Sequence, residues 1–250
     1  MKAMILAAGL GTRLRPLTDD RPKALVTIGG RTLLEITLRR LRALGVREVI
    51  VNVHHYAEMI LDYLKSDGNF GMRIEVSRED DLLDTGGGLK NASWFFLEDG
   101  KGAEQPFILH NVDIISTIDI ERMMKFHTEH NALATLAVQD RETSRYLLFD
   151  GNGLLCGRRA GLDGTPEFIR PAQQTRALAF SGIHVLSPQI FAKMHDNGAF
   201  SIITSYLHLA AQGEKILAFR ADGSYWRDLG RPENLVEAER DFVSGTYPEV

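Results

Sequence analysis

Apolar positions in the first half of the chain fall into short runs separated by amphipathic stretches. Met4–Ala7 is a continuous apolar run of strand length. Leu33–Leu44 sets Leu34, Leu38 and Leu41 at helical spacing, and Gly45 sits where a helix-terminating glycine belongs. Glu48–Val53 (EVIVNV) reads as the next strand, Ala57–Leu64 as a helix and Arg73–Val76 as a third strand. Gly86–Phe96 reads as a helix, Pro106–Leu109 as a fourth strand, Ile118–His127 as a helix and Ala134–Val138 as a strand. Apolar strands alternating with helices of this length predict βαβ units, hence an α/β fold with a doubly wound, mainly parallel sheet.

From Ser144 the rhythm changes. Tyr146–Phe149 and Leu154–Gly157 flank Asp150-Gly151-Asn152-Gly153, a hairpin turn signal. Residues 160–176 are polar, hold two prolines and show no periodicity, so a surface loop is expected there. Ala177–Leu186 reads as a strand, Pro188–His195 and Ile202–Gln212 as helices, and Ile216–Ala221 and Ser224–Leu229 as strands. Pro232–Val243 forms a closing helix with its proline in the first turn. No repeat, low-complexity tract or linker interrupts the chain, so the second half is expected to be an insertion onto the first lobe within one domain, 1–250.

Length and composition fit that picture: 250 residues, 44% hydrophobic and 25% charged, are ordinary for a globular α/β protein. The net charge of −4 and the lack of a basic block argue against nucleic-acid binding, which needs a phosphate-neutralising surface. The apolar run Ala3–Ala8 is shorter than a secretory signal's core, and no stretch approaches the roughly 20 apolar residues of a membrane span. The single cysteine, Cys156, excludes an internal disulfide and a cysteine-rich zinc site. These features predict a cytoplasmic protein without a membrane partner. The eight histidines suggest no metal cluster, and the adjacent His54 and His55 would face opposite sides of a strand. No G-x-S-x-G elbow is present to support a covalent nucleophile.

The most informative segment follows the first strand: Ala7-Ala8-Gly9-Leu10-Gly11-Thr12-Arg13-Leu14-Arg15-Pro16. Glycines let several backbone N–H groups turn toward one anion, and the carboxyl end of an α/β strand is where such sheets bind ligands. Arg21-Pro22-Lys23 adds a second cation beside a stiff proline. A dinucleotide fingerprint is excluded, because Leu14 fills its third glycine position and the second strand ends Asn52-Val53-His54-His55 without the ribose-binding carboxylate. A Walker loop is excluded because no lysine follows Gly11. What remains is a loop suited to a phosphate chain flanked by arginine.

Ala7 to Leu14 followed by Pro22-Lys23 resembles the signature of the sugar-nucleotide pyrophosphorylases, the sugar-1-phosphate nucleotidyltransferases. Matching segments continue to Gly230. The resemblance is greatest to short bacterial members of the N-acetylmuramate 1-phosphate uridylyltransferase and mannose 1-phosphate guanylyltransferase kinds. It implies a Rossmann-like nucleotide-binding half over about 1–140, a small sugar-binding lobe over about 141–230 and a closing helix and tail over 231–250. It also implies that Ala8, Gly9, Gly11, Thr12, Arg13 and Lys23 hold the nucleotide phosphates, with Arg13 and Lys23 neutralising charge during catalysis.

Three further segments carry the resemblance. In Asp84-Thr85-Gly86-Gly87-Gly88, the family places Thr85, Gly86 and Gly87 against the nucleotide base; a flexible linker is the plainer reading of the same glycines. In His110-Asn111-Val112-Asp113, Asp113 stands just beyond a buried strand, where a hard divalent cation such as Mg²⁺ finds one of its carboxylates. A lone strand-end aspartate is commonly a cap, but Trp226-Arg227-Asp228-Leu229-Gly230 resembles the family segment whose aspartate completes that metal site. Val112 departs from the family's usual glycine. Asn111, Ser181 and Gly182 match sugar-contacting positions, although a glycine at 182 also reads as a strand bulge. Arg145 is equally a ligand for the sugar phosphate or a surface residue.

The partners implied are a nucleoside triphosphate and a sugar 1-phosphate. UTP is favoured over GTP on the triple-glycine run, with mannose or heptose 1-phosphate guanylyl transfer as the alternative. A non-catalytic sugar-nucleotide-binding regulator is the rival of another class. Oligomeric state is not legible.

Overall fold

The computed structural model describes residues 1–98 and 105–247. The chain opens with β1 (Lys2–Leu6) and passes through a short hairpin, β2 (Thr27–Ile28) and β3 (Arg31–Thr32), into α1 (Leu33–Ala43). Then come β4 (Glu48–Val53), α2 (Ala57–Ser66), β5 (Arg73–Arg78), α3 (Asp84–Asn91) and α4 (Ser93–Leu97). After β6 (Phe107–Asn111) and β7 (Ile114–Ser116) follow α5 (Ile120–Glu129) and β8 (Ala134–Gln139). The second half contributes β9 (Arg145–Asp150), β10 (Leu155–Ala160), β11 (Glu167–Phe168) and the long β12 (Thr175–Leu186). It ends with α6 (Ile190–Lys193), α7 (Ile202–Ala211), β13 (Ile216–Arg220), β14 (Trp226–Asp228) and α8 (Pro232–Val243).

The nucleotide half is a parallel sheet in the order β6-β1-β4-β5. Alternation along β1 and β4 splits its side chains between two cores. Ala3, Ile5, Val49, Val51 and Val53 pack with α1, α2, α5 and α8, while Met4, Leu6 and Ile50 pack with α3, α4, α6 and α7. Strands covered on both faces need apolar residues at nearly every position, which is the composition the sequence shows. Local signals set the helix ends. The Thr32 hydroxyl accepts the Glu35 N–H at 3.0 Å to cap α1, and Gly45 ends that helix at φ 79°.

β12 joins the halves. It runs antiparallel to β9 through 175–179 and then to β6 through 183–186 along one edge, and to β8 along the other. The register breaks between Phe180 and His184, where Gly182 has φ 73°. A Cβ there would lie 2.7 Å from Ile114 Cγ1 and 3.1 Å from Asn111 Nδ2, so the bulge requires glycine.

The structure departs from the pattern in four places. The expected loop 160–176 contains the edge strand β11 and the start of β12, and the expected helix 188–195 shrinks to four residues, Ile190–Lys193. The 224–229 strand leaves the main sheet and pairs as β14 with β7, a three-residue strand too short for any periodicity. The β2–β3 hairpin was equally invisible.

Three histidines are buried at the joints of the fold. His127 bridges Thr135 and Ser187 Oγ atoms at 2.9 Å each, His184 meets the Tyr206 hydroxyl at 2.7 Å, and His110 lies on β6. Burial pushes His127 down to about 4 and His110 and His184 down to about 3. The unfolded chain takes up these protons near pH 6.5 while the folded chain stays neutral, so stability is complete above that pH and falls below it. The unfolding temperature should drop measurably from pH 7 to pH 5, and His127→Gln should reduce that drop. A flat profile over this window would contradict it.

Candidate functional site

The carboxyl ends of the parallel strands open into a cleft of about 450 Å³. One wall is the segment from Leu6 to Gly9, the opposite wall includes Leu82, Asp84 and Thr85, and the floor carries Lys23, Asn111 and Asp113. In the loop after β1, Gly11 takes the left-handed conformation (φ 64°), and a Cβ there would stand 3.0 Å from Thr18 Cγ2 and 3.2 Å from Lys23 Cβ. The Thr18 hydroxyl donates to the Gly11 carbonyl at 2.9 Å and pins the turn. Gly9 differs: its φ is not left-handed and a Cβ would meet nothing within 4 Å, so neither strain nor packing demands a glycine there. It lines the cleft.

Lys23, 8% exposed, begins a short 3₁₀ turn after Pro22 and sends its ammonium to the Asp113 carboxylate as an ion pair. Asp113 lies between β6 and β7. β14 pairs with β7 so that Asp228 stands opposite Ile114, and the Leu229 N–H donates to the Asp113 carbonyl at 2.8 Å. Of the two sequence-predicted carboxylate residues, distant along the chain, Asp228 ends this two-stranded ladder and Asp113 immediately precedes it. The Asp228 carboxylate accepts the Gly230 N–H at 2.7 Å. A Cβ at Gly230 would lie 2.8 Å from both Asp228 Oδ1 and Arg13 Nη2, so this glycine makes room for the Arg13 guanidinium beside Asp228. Val112, in the place of the usual glycine, turns its side chain into the core and donates its N–H to the Leu6 carbonyl at 3.1 Å. It leaves the Asp113 carboxylate accessible.

Asn111 reaches the cleft, and its buried Oδ1 has no hydrogen-bond partner. The other expected sugar contacts lie elsewhere. Ser181 is 0% exposed, its hydroxyl 3.4 Å from Gln139 Oε1, and Gly182 is explained by the bulge. Arg145 is exposed at the start of β9. Half-buried Arg141, not anticipated from sequence, stacks 3.5 Å over the Trp226 ring, donates to the Phe180 carbonyl at 2.8 Å and feels the Asp228 charge.

The glycine run requires a correction. Gly86 and Gly87 do not line the cleft: their N–H groups donate to the Phe200 carbonyl at 2.9 and 3.3 Å. A Cβ on Gly86 would lie 2.4 Å from the Phe200 ring, and one on Gly87 would lie 2.4 Å from the Gly198 carbonyl. The run lets α3 approach the 198–200 segment, and only Thr85 and Asp84 face the cleft. Even the Thr85 hydroxyl is engaged, accepting the Ile202 N–H at 3.0 Å at the start of α7. Gly87→Val should therefore lower the unfolding temperature through collision with backbone. In whatever fraction folds, nucleotide affinity should change little. A variant of native stability with weakened nucleotide binding would restore the base contact.

Comparison with known proteins identifies the family. The family model described as Nucleotidyl transferase matches residues 2–245. The N-acetylmuramate alpha-1-phosphate uridylyltransferase of Caulobacter vibrioides is 34% identical, over 95% of each chain. The mannose-1-phosphate guanyltransferase of Yarrowia lipolytica is 31% identical over 98% of this chain, which spans 63% of that relative's length. Among solved structures, HddC from Yersinia pseudotuberculosis in complex with GMP-PN superposes with TM-score 0.74 at 24% identity, covering 96% of this chain and 99% of that one. A UDP-glucose pyrophosphorylase in complex with UDP-glucose gives 0.74 at 18% identity, covering 97% and 98%. No helix among the described residues is long and apolar enough to cross a membrane. The chain belongs to the nucleotidyl transferase family.

Proposed function

We propose that the protein transfers a nucleotidyl group from a nucleoside triphosphate to a sugar 1-phosphate, releasing pyrophosphate. The observation that carries this reading is the pairing of β7 with β14, which brings Asp228, with the Arg13 guanidinium beside it, up to the chain segment of the cleft-lining ion pair of Asp113 with Lys23. Two cations flanking two carboxylates suit a polyphosphate and a hard divalent cation together, and suit little else.

The roles follow from position. Backbone from Ala8 to Thr12 would receive the phosphate chain, with Gly9 leaving the approach open. The wall at Leu82, Asp84 and Thr85 would receive the base, and Asn111 would receive a sugar hydroxyl at its unpartnered oxygen. The sugar phosphate, already an anion near neutral pH, needs no general base to attack the α-phosphorus in line as pyrophosphate leaves. Arg13 and Lys23 would stabilise the charge that develops there. The donor set fits Mg²⁺, which takes one or two carboxylates and completes its shell with phosphate oxygens and water. Among the described residues no cluster of three or more such ligands offers a closed cage. Asp113 and Asp228 would hold the ion, whose chemistry when bound is to neutralise phosphate oxygens.

UTP with an N-acetylmuramate-like sugar 1-phosphate is the first reading, because the uridylyltransferase relative matches over nearly the whole length of both chains. The triple-glycine run no longer supports it. Guanylyl transfer to mannose 1-phosphate is the second, supported by the guanyltransferase relatives. Pyrophosphate release measured with four nucleoside triphosphates against a panel of sugar 1-phosphates tests both. Release with none of the combinations would favour a binding protein.

Two sets of variants test the assigned roles. Asp113→Asn and Asp228→Asn, which preserve shape, should abolish Mg²⁺-dependent turnover while the protein stays folded. Asparagine is chosen because alanine at 113 would leave the Lys23 ammonium buried without a partner, which costs about 3–5 kcal/mol in such pairs. Near-wild-type turnover by either variant would remove the carboxylate pair from the mechanism. Arg13→Ala and Lys23→Ala should each lower kcat/KM by about 100- to 1,000-fold. Losses under about threefold for both would move the reacting phosphates elsewhere.

A further inference from the structure

Along the lining of the cleft, which includes Asn52 and Glu79 themselves, runs a chain of hydrogen bonds that none of the roles above uses. The Ala7 N–H donates to Asn52 Oδ1 at 2.7 Å, and Asn52 Nδ2 donates to Glu79 Oε1 at 2.7 Å. Glu79 Oε2 accepts the Leu83 N–H at 3.0 Å. Both side chains are nearly inaccessible, Asn52 at 2% and Glu79 at 5%. The ends of the chain are the two walls of the cleft: Ala7 opens the phosphate loop, and Leu83 lies between Leu82 and Asp84. A third residue is shaped around it. A Cβ on Gly88 would lie 2.6 Å from Glu79 Oε1 and 2.7 Å from Asn52 Nδ2, so the last glycine of the run exists to admit this pair.

We propose that Asn52 and Glu79 are positioning residues that clamp the phosphate-loop wall to the base-side wall and so fix the width of the nucleotide cleft. The inference rests on the reading of that cleft as the triphosphate site. It explains why a carboxylate and an amide, costly to bury, stand near the ends of β4 and β5: each is hydrogen-bonded to the other and to the backbone of one wall.

The clamp obeys a parity rule that makes it testable. Both of its ends are backbone donors. Between two donors, the middle must hold one amide and one carboxylate, in either order. Two amides would leave donor facing donor, and two carboxylates would leave acceptor facing acceptor. Asn52→Asp and Glu79→Gln should therefore each break the clamp. The double variant should rebuild it with the central bond reversed: the new glutamine amide donates to the new carboxylate, and both backbone donors keep an acceptor.

Titration calorimetry with UTP and with GTP, each with Mg²⁺, reads the effect. Each single variant should weaken binding of the preferred triphosphate by at least about tenfold, and the double variant should return to within about threefold of wild type. KM for the sugar 1-phosphate should move far less than the triphosphate Kd, a split that general destabilisation would not produce. Unchanged affinity in the singles, or a double variant as weak as the product of the two, overturns the clamp. Should a single variant fail to fold, the double variant decides alone. Near-wild-type affinity supports the proposal, and an unfolded or non-binding protein overturns it. Failure of the functional reading would show separately, as wild-type protein that binds neither triphosphate.

Discussion

A parallel sheet delivers its strand ends to one side of the molecule, where the segments after β1 and β6 line the cleft but only the latter supplies an aspartate. The carboxylate pair in this protein depends on the chain's return from far along the sequence, and the β7–β14 ladder is the contact that brings it back. Once Asp228 is set opposite Ile114, the remaining geometry follows. The Leu229 N–H closes on the Asp113 carbonyl, the Trp226 indole N–H reaches the Ser181 carbonyl at 2.8 Å, and Asn234 of α8 holds the Asp228 carbonyl at 2.6 Å. The same turn presents Gly230, whose missing side chain leaves room for both the Arg13 guanidinium and the Asp228 carboxylate. Strand β12, α8 and the phosphate loop are thereby tied to a ladder of three residues on each side.

Charge within this arrangement is balanced before any ligand arrives. Two neighbouring carboxylates repel, and each would be costly to hold without a counter-charge. Lys23 answers Asp113 directly, while Arg13 and Arg141 lie near Asp228 from opposite halves of the molecule. Lys23 is itself largely buried, at 8% exposure, and lines the cleft. The phosphate loop and the carboxylate strand are joined by this one charge pair, Lys23 with Asp113.

Much of this was legible in the sequence, and the failures have definite causes. Strands that are apolar throughout and helices with capped ends stood out, because burial on both faces and unsatisfied helix termini each leave a compositional mark. Hence β1, β4, α1 and α8 came out within a residue or two. The short ladders did not, since two or three residues carry no period and β14 pairs only through tertiary contact. In the site, Arg13 and Asp228 meet beside Gly230, and Lys23, Asn111 and Asp113 line the cleft. Ser181 and Arg145 do not, because facing the pocket is a property of the strand's twist and bulge at Gly182, which residue spacing does not encode. Arg141 was missed because its meaning lies in the Trp226 ring it covers. Asn52 left a signal that went unused: an amide within EVIVNV is out of place in a buried strand unless something pairs with it.

The glycine run shows how one sequence feature divides among several physical demands. Gly86 yields to the Phe200 ring, Gly87 to the Gly198 carbonyl and Gly88 to the Asn52–Glu79 pair, so three adjacent residues meet three different neighbours. None of the three φ values is left-handed, so conformational freedom is not the reason for any of them. What they share is a helix start pressed against backbone and buried polar groups at distances no Cβ tolerates. The close approach expected there from the sequence is real, but its object is the protein itself. The base-side wall is shaped at one remove: packing of α3 on 198–200 and on the buried pair fixes where Leu82, Asp84 and Thr85 stand. Asp84 bears the residual strain of that placement, holding φ 57° without being glycine, with its carboxylate on the Thr85 N–H at 2.6 Å.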